Sequence, residues 1–321
     1  MEVSEFMRRH YRHFNARETL AAAEGYKRFL EGGGKMFLAM AGAMSTAEIG
    51  VILAEMIRRD MVHAVSCTAA NLEEDLFNLF AHDEYEVIAD WRALRVDDEV
   101  QLRDRGYNRV TDTCIPETVM KHMQSRLTKY WVENAQAGTG MFPFEYMYKI
   151  LDEEDLRQHY KIPEEHSWVL AAKQKGLPIY TPGTEDSTLG NMFTARVMDG
   201  TVASHAAMKT GTQQLEHLTH WYEEATRESD VGFFQIGGGI AGDFAICAVP
   251  MLIQDLDRAD ARRWGYFCQI SDAVTSYGGY SGAVPNEKIT WNKLDPEAPK
   301  FMIQSDATIV APLIFAYVLG M

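Results

Sequence analysis

Hydrophobic and polar positions fall into two alternating patterns along this chain. In ARETLAAAEGYKRFLEGGG the apolar residues recur at intervals of three and four, the period of one helix face, and Gly32, Gly33 and Gly34 end the segment as a C-cap does. The runs that follow are short and continuously apolar. KMFLAMAG predicts a buried strand, and a helix follows around AEIGVILAEMIRRD. HAVSCTAAN repeats the plan before the helical EEDLFNLF. GLPIYTPG with its exit loop TEDSTLGN, then VGFFQIGGG, WGYFCQISDA and KFMIQSDA, keep to it, the last leading into TIVAPLIFAYVLG. Each strand closes in Gly, Ser, Thr, Ala or Asp before the next element. This order predicts an α/β protein with a doubly wound, mostly parallel, Rossmann-like sheet that binds ligands at the carboxyl ends of its strands. No linker or low-complexity tract divides residues 1–321, so one domain is expected. Its charged stretch 84–160, without clear strands, reads as a helical, loop-rich insertion.

Composition narrows the partners. With 46% hydrophobic and 24% charged residues the chain is globular rather than disordered. Its 31 Lys and Arg against 46 Asp and Glu give a net charge of −15, which disfavours nucleic acid and anionic lipid and draws small cations such as polyamines. Acidity that serves solubility alone has the same signature. Cys67, Cys114, Cys247 and Cys268 show no CxxC pairing, so neither a disulfide framework nor a zinc site is suggested. No metal is expected. The first twenty residues carry positive charge with no apolar stretch behind it, and the apolar run near 307–321 is short and broken by Pro312. A cytoplasmic protein with no membrane partner is the expectation.

Several short patterns bear on chemistry. Gly237-Gly238-Gly239 after GFFQI could bring backbone amides close to a phosphate or form a plain tight turn. GGGK at 32–35 is no phosphate loop, because its spacing is wrong and Met36 stands where Ser or Thr is needed. Acids recur at strand exits: Glu73, Glu74 and Asp75, then Asp186, Asp272 and Asp306. One such acid is commonly a helix N-cap, whereas the repeated pattern suits a ligand such as a ribose. His217 and His220 in HLTH stand three apart but lack a third metal ligand, and Ser281 lies outside a GxSxG elbow. Lys293, two residues after Trp291, is a candidate nucleophile, since an apolar neighbour favours the neutral amine. Trp291 could stack on an ammonium and Glu287 could pair with one.

The segment SGAVPNEKITWNK, with GFFQIGGG before it and QSDATIVAPL after it, resembles the carboxy-terminal half of deoxyhypusine synthases. AGAMSTAEIG, CTAANLEEDLFN, NRVTDTCIP and GLPIYTPGTEDSTLGN resemble that family's upstream loops in the same order, from about residue 35 to 320. The resemblance implies an NAD-dependent aminobutyl transferase: spermidine is oxidised, diaminopropane leaves, and an active lysine carries the butyl group as an imine. It further implies that Lys293 is that lysine, Trp291 lies along the polyamine and Glu287 binds one amino end. NAD would meet Ser45, Thr46, Thr68, Ala69, Glu74, Asp186, Gly237, Gly238, Gly239, Asp272, Ala273, Asp306 and Ala307. A homotetramer is implied as well.

Departures from the family concentrate in the amine half. The family histidine beyond the triple glycine is missing from IAGDFAI, where Asp243 stands at or beside its position and joins Lys293 as a catalytic candidate. Two family carboxylates that hold substrate amines correspond to Asn191 and Tyr280. The pattern resembles the bacterial deoxyhypusine synthase-like branch and implies a small amine as acceptor, with putrescine giving homospermidine. Modification of a protein lysine, and a non-catalytic NAD- or polyamine-binding protein, are the alternatives.

Overall fold

The computed structural model describes residues 1–275 and 278–321. Helices α1 (Val3–His10) and α2 (Phe14–Glu31) precede β1 (Lys35–Met40), and α3 (Gly50–Arg58) leads to β2 (Ala64–Cys67) and α4 (Ala69–Ala81). Then come β3 (Glu86–Val87), α5 (Val96–Asp104), β4 (Tyr107–Val110), β5 (Thr113–Pro116), α6 (Glu117–Ala137) and α7 (Pro143–Leu151). The chain returns through α8 (Trp168–Lys175) to β6 (Ile179–Tyr180), then α9 (Thr188–Met198), α10 (Gly211–Thr226) and β7 (Val231–Ile236). It finishes with α11 (Gly239–Ile246), the single turn α12 (Ala248–Pro250), β8 (Tyr266–Ser271), α13 (Glu287–Thr290), β9 (Lys300–Gln304) and α14 (Ala307–Leu319).

Six strands form one sheet in the order β6-β2-β1-β7-β8-β9, and every pairing is parallel. The chain builds outward from β1 to β2 and β6, then crosses back to β7, β8 and β9. The order therefore reverses between β1 and β7, and at such a switch point the loops diverge and leave a crevice for a ligand. Burial on both faces explains why these strands read as continuous apolar runs rather than alternating ones: β7 and β8 are buried at every position. On one face Tyr180, Phe37, Phe233 and Phe267 form a row of stacked rings across the sheet, with centroids 5.5–6.4 Å apart. Trp264 packs edge-on against Phe37 and Phe233. The opposite face packs on α2, α3, α4 and α14 through Met36, Leu38, Phe234 and Ile270.

The stretch 84–160 differs from expectation. It carries α5, α6 and α7, yet also a three-stranded antiparallel sheet, β3-β5-β4. The hairpin of β4 and β5 turns through Thr111 and Asp112, with Thr111 in the left-handed region at φ 58. Its strand YNRV is half-exposed and polar on both faces, so it has no periodicity to read.

His217 of HLTH holds the Tyr180 hydroxyl at 2.9 Å, while His220 faces solvent beside Glu223. All four cysteines are unpaired. Among the described residues, no helix is long and apolar enough to cross a membrane.

Helix α4 organises its neighbours through buried acids. Asp75 accepts hydrogen bonds from Ser167 Oγ at 2.5 Å, Val169 N at 3.1 Å and Trp168 N at 3.3 Å, so it caps the start of α8 from another helix. Asp75→Ala would strand these buried donors and is expected to cost about 3 kcal/mol. Urea unfolding of Asp75→Ala and Asp75→Asn checks this, with the asparagine variant retaining part of the loss.

Candidate active site

At the switch point a cavity of about 750 Å³ opens above the carboxyl ends of β1, β7, β8 and β9. The loop after β1 supplies Gly42 and Thr46, the glycine turn supplies Gly237, and the exits of β8 and β9 supply Asp272 and Asp306. The tip of the β4–β5 hairpin, Thr111 and Asp112, closes the far side. The hairpin that the sequence concealed is thus a wall of the cavity.

Glycine is required in the turn on two counts. Gly237 has φ +74, and a side chain there would meet the Ala41 side chain at 3.0 Å. A Cβ on Gly238 would lie 2.0 Å from Ser281 Oγ. The loop bearing Ser281 therefore lies directly on the turn, and Ser281 Oγ accepts a hydrogen bond from Gly239 N at 3.1 Å. Two buried glutamines reinforce the joint. Gln235 and Gln269 both donate to Gly237 O, and Gln269 also donates to Ser281 O at 2.8 Å. Asn71 does the same for the first loop: Ser45 N donates to its Oδ1, and its amide donates to Gly42 O at 2.8 Å. The sequence reading missed these three amides, although a polar residue inside an apolar strand such as FFQI or FCQI is a visible signal.

Of the residues that the resemblance assigns to NAD, Thr46, Gly237, Asp272, Asp306 and Ala307 line this cavity. Gly238 and Gly239 begin α11 beside it, and Ala273 follows Asp272. Ser45 and Thr68 are engaged in the fold: Ser45 Oγ donates to Asn71 O and accepts from Trp168 Nε1, while Thr68 caps α4 and donates to Gly42 O. Ala69 is buried against a separate, small apolar hollow. Asp186 stands exposed in the loop after β6, which reaches Ile240 of α11 through Gly183. The strand-exit acids divide between two uses. Glu73 accepts from Thr188 N and Leu189 N at the start of α9, and Asp306 caps α14 through Thr308 N. Glu74 is different: it is buried, and neither its Oε2 nor the neighbouring Thr46 Oγ1 finds a hydrogen-bond partner among the described residues.

Beyond the glycine turn lies the lysine. Lys293 is 7% exposed, and its Nζ is 2.8 Å from Asp243 Oδ1 on α11. The Tyr280 and Trp291 rings stand 5.5 and 5.7 Å from that nitrogen. Asn292, left-handed at φ 58 and held by Arg263, turns the chain inward at this point. Trp264 N then binds Lys293 O and fixes the backbone. Tyr280 donates its hydroxyl to Gln235 Oε1 at 2.8 Å, which ties the lysine side to the glycine turn. Lys293, Asp243, Tyr280 and Trp291 therefore meet in one place. Glu287 is exposed at the start of α13, and Asn191 binds Ser187 O at the start of α9; neither hydrogen-bonds to the pair.

Residues 4–318 match the family model described as deoxyhypusine synthase. The chain belongs to the deoxyhypusine synthase family. A deoxyhypusine synthase-like protein of Nostoc punctiforme is 30% identical over 293 residues, 88% of this chain and 70% of the relative. A probable deoxyhypusine synthase of Archaeoglobus fulgidus is 24% identical over 310 residues, 95% of this chain and 90% of the relative. The crystal structure of a putative deoxyhypusine synthase from Entamoeba histolytica superposes with a TM-score of 0.60 at 12% identity, covering 100% of this chain and 94% of that one, and shows the shared fold. Deoxyhypusine synthases are aminobutyl transferases that act on polyamines.

In this member of the deoxyhypusine synthase family the adjacent buried acids of α4 carry an electrostatic signature. Burial pushes the Glu73 and Glu74 carboxyls up to about 7 each, and the charge of Glu73 further hinders the ionisation of Glu74. The folded chain therefore holds more protons than the unfolded chain between the ordinary carboxyl range and about pH 7, and stability falls as pH rises through that window. Glu74→Gln removes one of these ionisations at constant size. The variant is expected to gain about 2–4 °C in Tm over wild type at pH 8 and little at pH 5. Thermal unfolding at the two pH values checks it, and an equal difference at both would mean that Glu74 ionises as it does in water.

Proposed function

We propose that this chain is an NAD-dependent aminoalkyl transferase that takes spermidine or a related polyamine as donor and carries the alkyl group as an imine on Lys293. The acceptor is a small amine, with putrescine giving a homospermidine-type product. The observation that carries the reading is the buried Lys293 paired with Asp243 between two aromatic rings. Binding a polyamine alone needs carboxylates, not a buried amine.

The residues of the cavity suit NAD. Gly237 admits the close approach of a dinucleotide at the switch point, and Thr46 and Asp272 line the cavity where they suit ribose hydroxyls. Bound there, NAD would supply the site's hydride acceptor and donor. The chain's own residues handle the rest. Asp243 Oδ1 takes the proton from Lys293 Nζ, and the freed lone pair adds to the carbon of the oxidised donor's C=N bond. The diamine leaves with a proton, and Lys293 keeps the butyl group as an imine. An acceptor amine then adds to the same carbon, Lys293 Nζ departs and recovers its proton from Asp243, and reduction of the new imine completes the product. Tyr280 and Trp291 give the aliphatic chain and its ammonium a ring face on either side. The whole chain acts as one unit, as a homotetramer in the cytoplasm.

Incubation with NAD, spermidine and putrescine, followed by mass spectrometry, is expected to reveal diaminopropane and a transferred product. Borohydride added during turnover should leave an aminoalkyl adduct on the peptide containing TWNKL. Lys293→Ala is expected to lose both product and adduct while still binding NAD, and Asp243→Asn to slow transfer by about 10²-fold. A Lys293→Ala protein that makes product at the wild-type rate overturns the mechanism.

A further inference from the structure

A second lysine of the same segment remains unused by this reading. Lys288 of α13 is 3% exposed, although lysines are almost never buried unless paired. Its stem runs between two rings, so that Nζ lies 4.8 Å from the Tyr280 centroid and 4.9 Å from that of Phe267, the end of the ring row across the sheet. Among the described residues its one acceptor is Ala283 O, at 3.5 Å, and no carboxylate comes within 4 Å. Lys293 approaches the same Tyr280 ring, and Lys293 N donates to Lys288 O. The two cations of the site thus share one aromatic wall.

A ring face is where a substrate ammonium would rest. We propose that Lys288 is a specificity-determining residue: its ammonium fills the aromatic cation seat beside Lys293, so the site holds its polyamine donor more loosely than it would with that seat free and leaves the binding of short diamines little affected. This rests on the polyamine reading above. The charges facing Lys288 are Lys293, which opposes it, and Asp243 and Glu287, which favour it. Asp243 is already taken by Lys293 and Glu287 is exposed, so a third cation at the Tyr280 wall has no carboxylate of its own. Burial first, and then Lys293, bring the Lys288 amine down to about 8, so the seat empties of charge just above neutral pH.

The test is equilibrium binding of labelled putrescine and spermidine, with NAD present, to wild type, K288M and K288R. K288M is expected to tighten spermidine about tenfold, a change of ~1.4 kcal/mol, and to leave putrescine within about threefold. K288R keeps the charge and should keep the wild-type preference. Between pH 7 and pH 9 wild type should gain spermidine affinity relative to K288R, a comparison that cancels the ligand's own titration and stands even where K288M fails to fold. A folded K288M with an unchanged ratio, or parallel pH profiles for wild type and K288R, overturns the role of Lys288 alone. Binding of neither amine by any of the three proteins overturns the polyamine reading with it.

Discussion

Two absent side chains join the halves of this site. At Gly237 the turn leaves β7 in a left-handed conformation against Ala41, and at Gly238 it leaves no space between itself and Ser281. A methyl group at Gly237 would press on Ala41 at the exit of β1, and one at Gly238 would push the turn off the lysine loop. The close approach is what allows Gln235 and Gln269 to bind the turn and the loop at once, and what brings Tyr280 onto Gln235. The cavity and the Lys293 amine are therefore held in fixed relation by one turn with no side-chain volume. Proximity of reacting groups depends on such rigid joints more than on any single contact.

Lys293 and Lys288 illustrate how one short segment yields two different environments. Lys293 reaches a carboxylate and is neutralised by it. Lys288, five residues earlier, reaches only rings and a carbonyl. The left-handed Asn292 separates the two directions, and asparagine bears that conformation at little cost.

Much of this was legible in the residues. Continuous apolar runs closing in small residues identified all six strands of the main sheet, because parallel strands covered on both faces leave no polar alternation. The triple glycine stood out as a turn at a strand exit, whereas Lys293 was singled out by the family resemblance, since a lysine after a tryptophan is commonplace. The β4–β5 hairpin was not, since YNRV is half-exposed and polar, TCIP is only four residues long, and their pairing depends on a turn at Thr111 rather than on periodicity. The strand-exit acids looked alike along the chain, yet Asp75 and Glu73 cap helices far away in sequence, and only the packing of α4 separates them from Glu74. Lys288 was hidden for the same reason: nothing local distinguishes a lysine on a solvated turn from one laid between Phe267 and Tyr280.

The strand order also governs when the site can exist. β1 pairs with β2 early, but its other edge waits for β7, roughly two hundred residues later, where Lys35 meets Val231. The crevice lies above the carboxyl ends of those two paired strands, so no intermediate on the ribosome can contain it until the chain beyond Ile236 has emerged. Throughout that interval β1 presents a bare apolar edge, the kind of surface that recruits a wrong strand or another nascent chain. Synthesis, rather than catalysis, is where this topology is most exposed, and the two-sided helical cover that hides the sheet afterwards is absent at that moment.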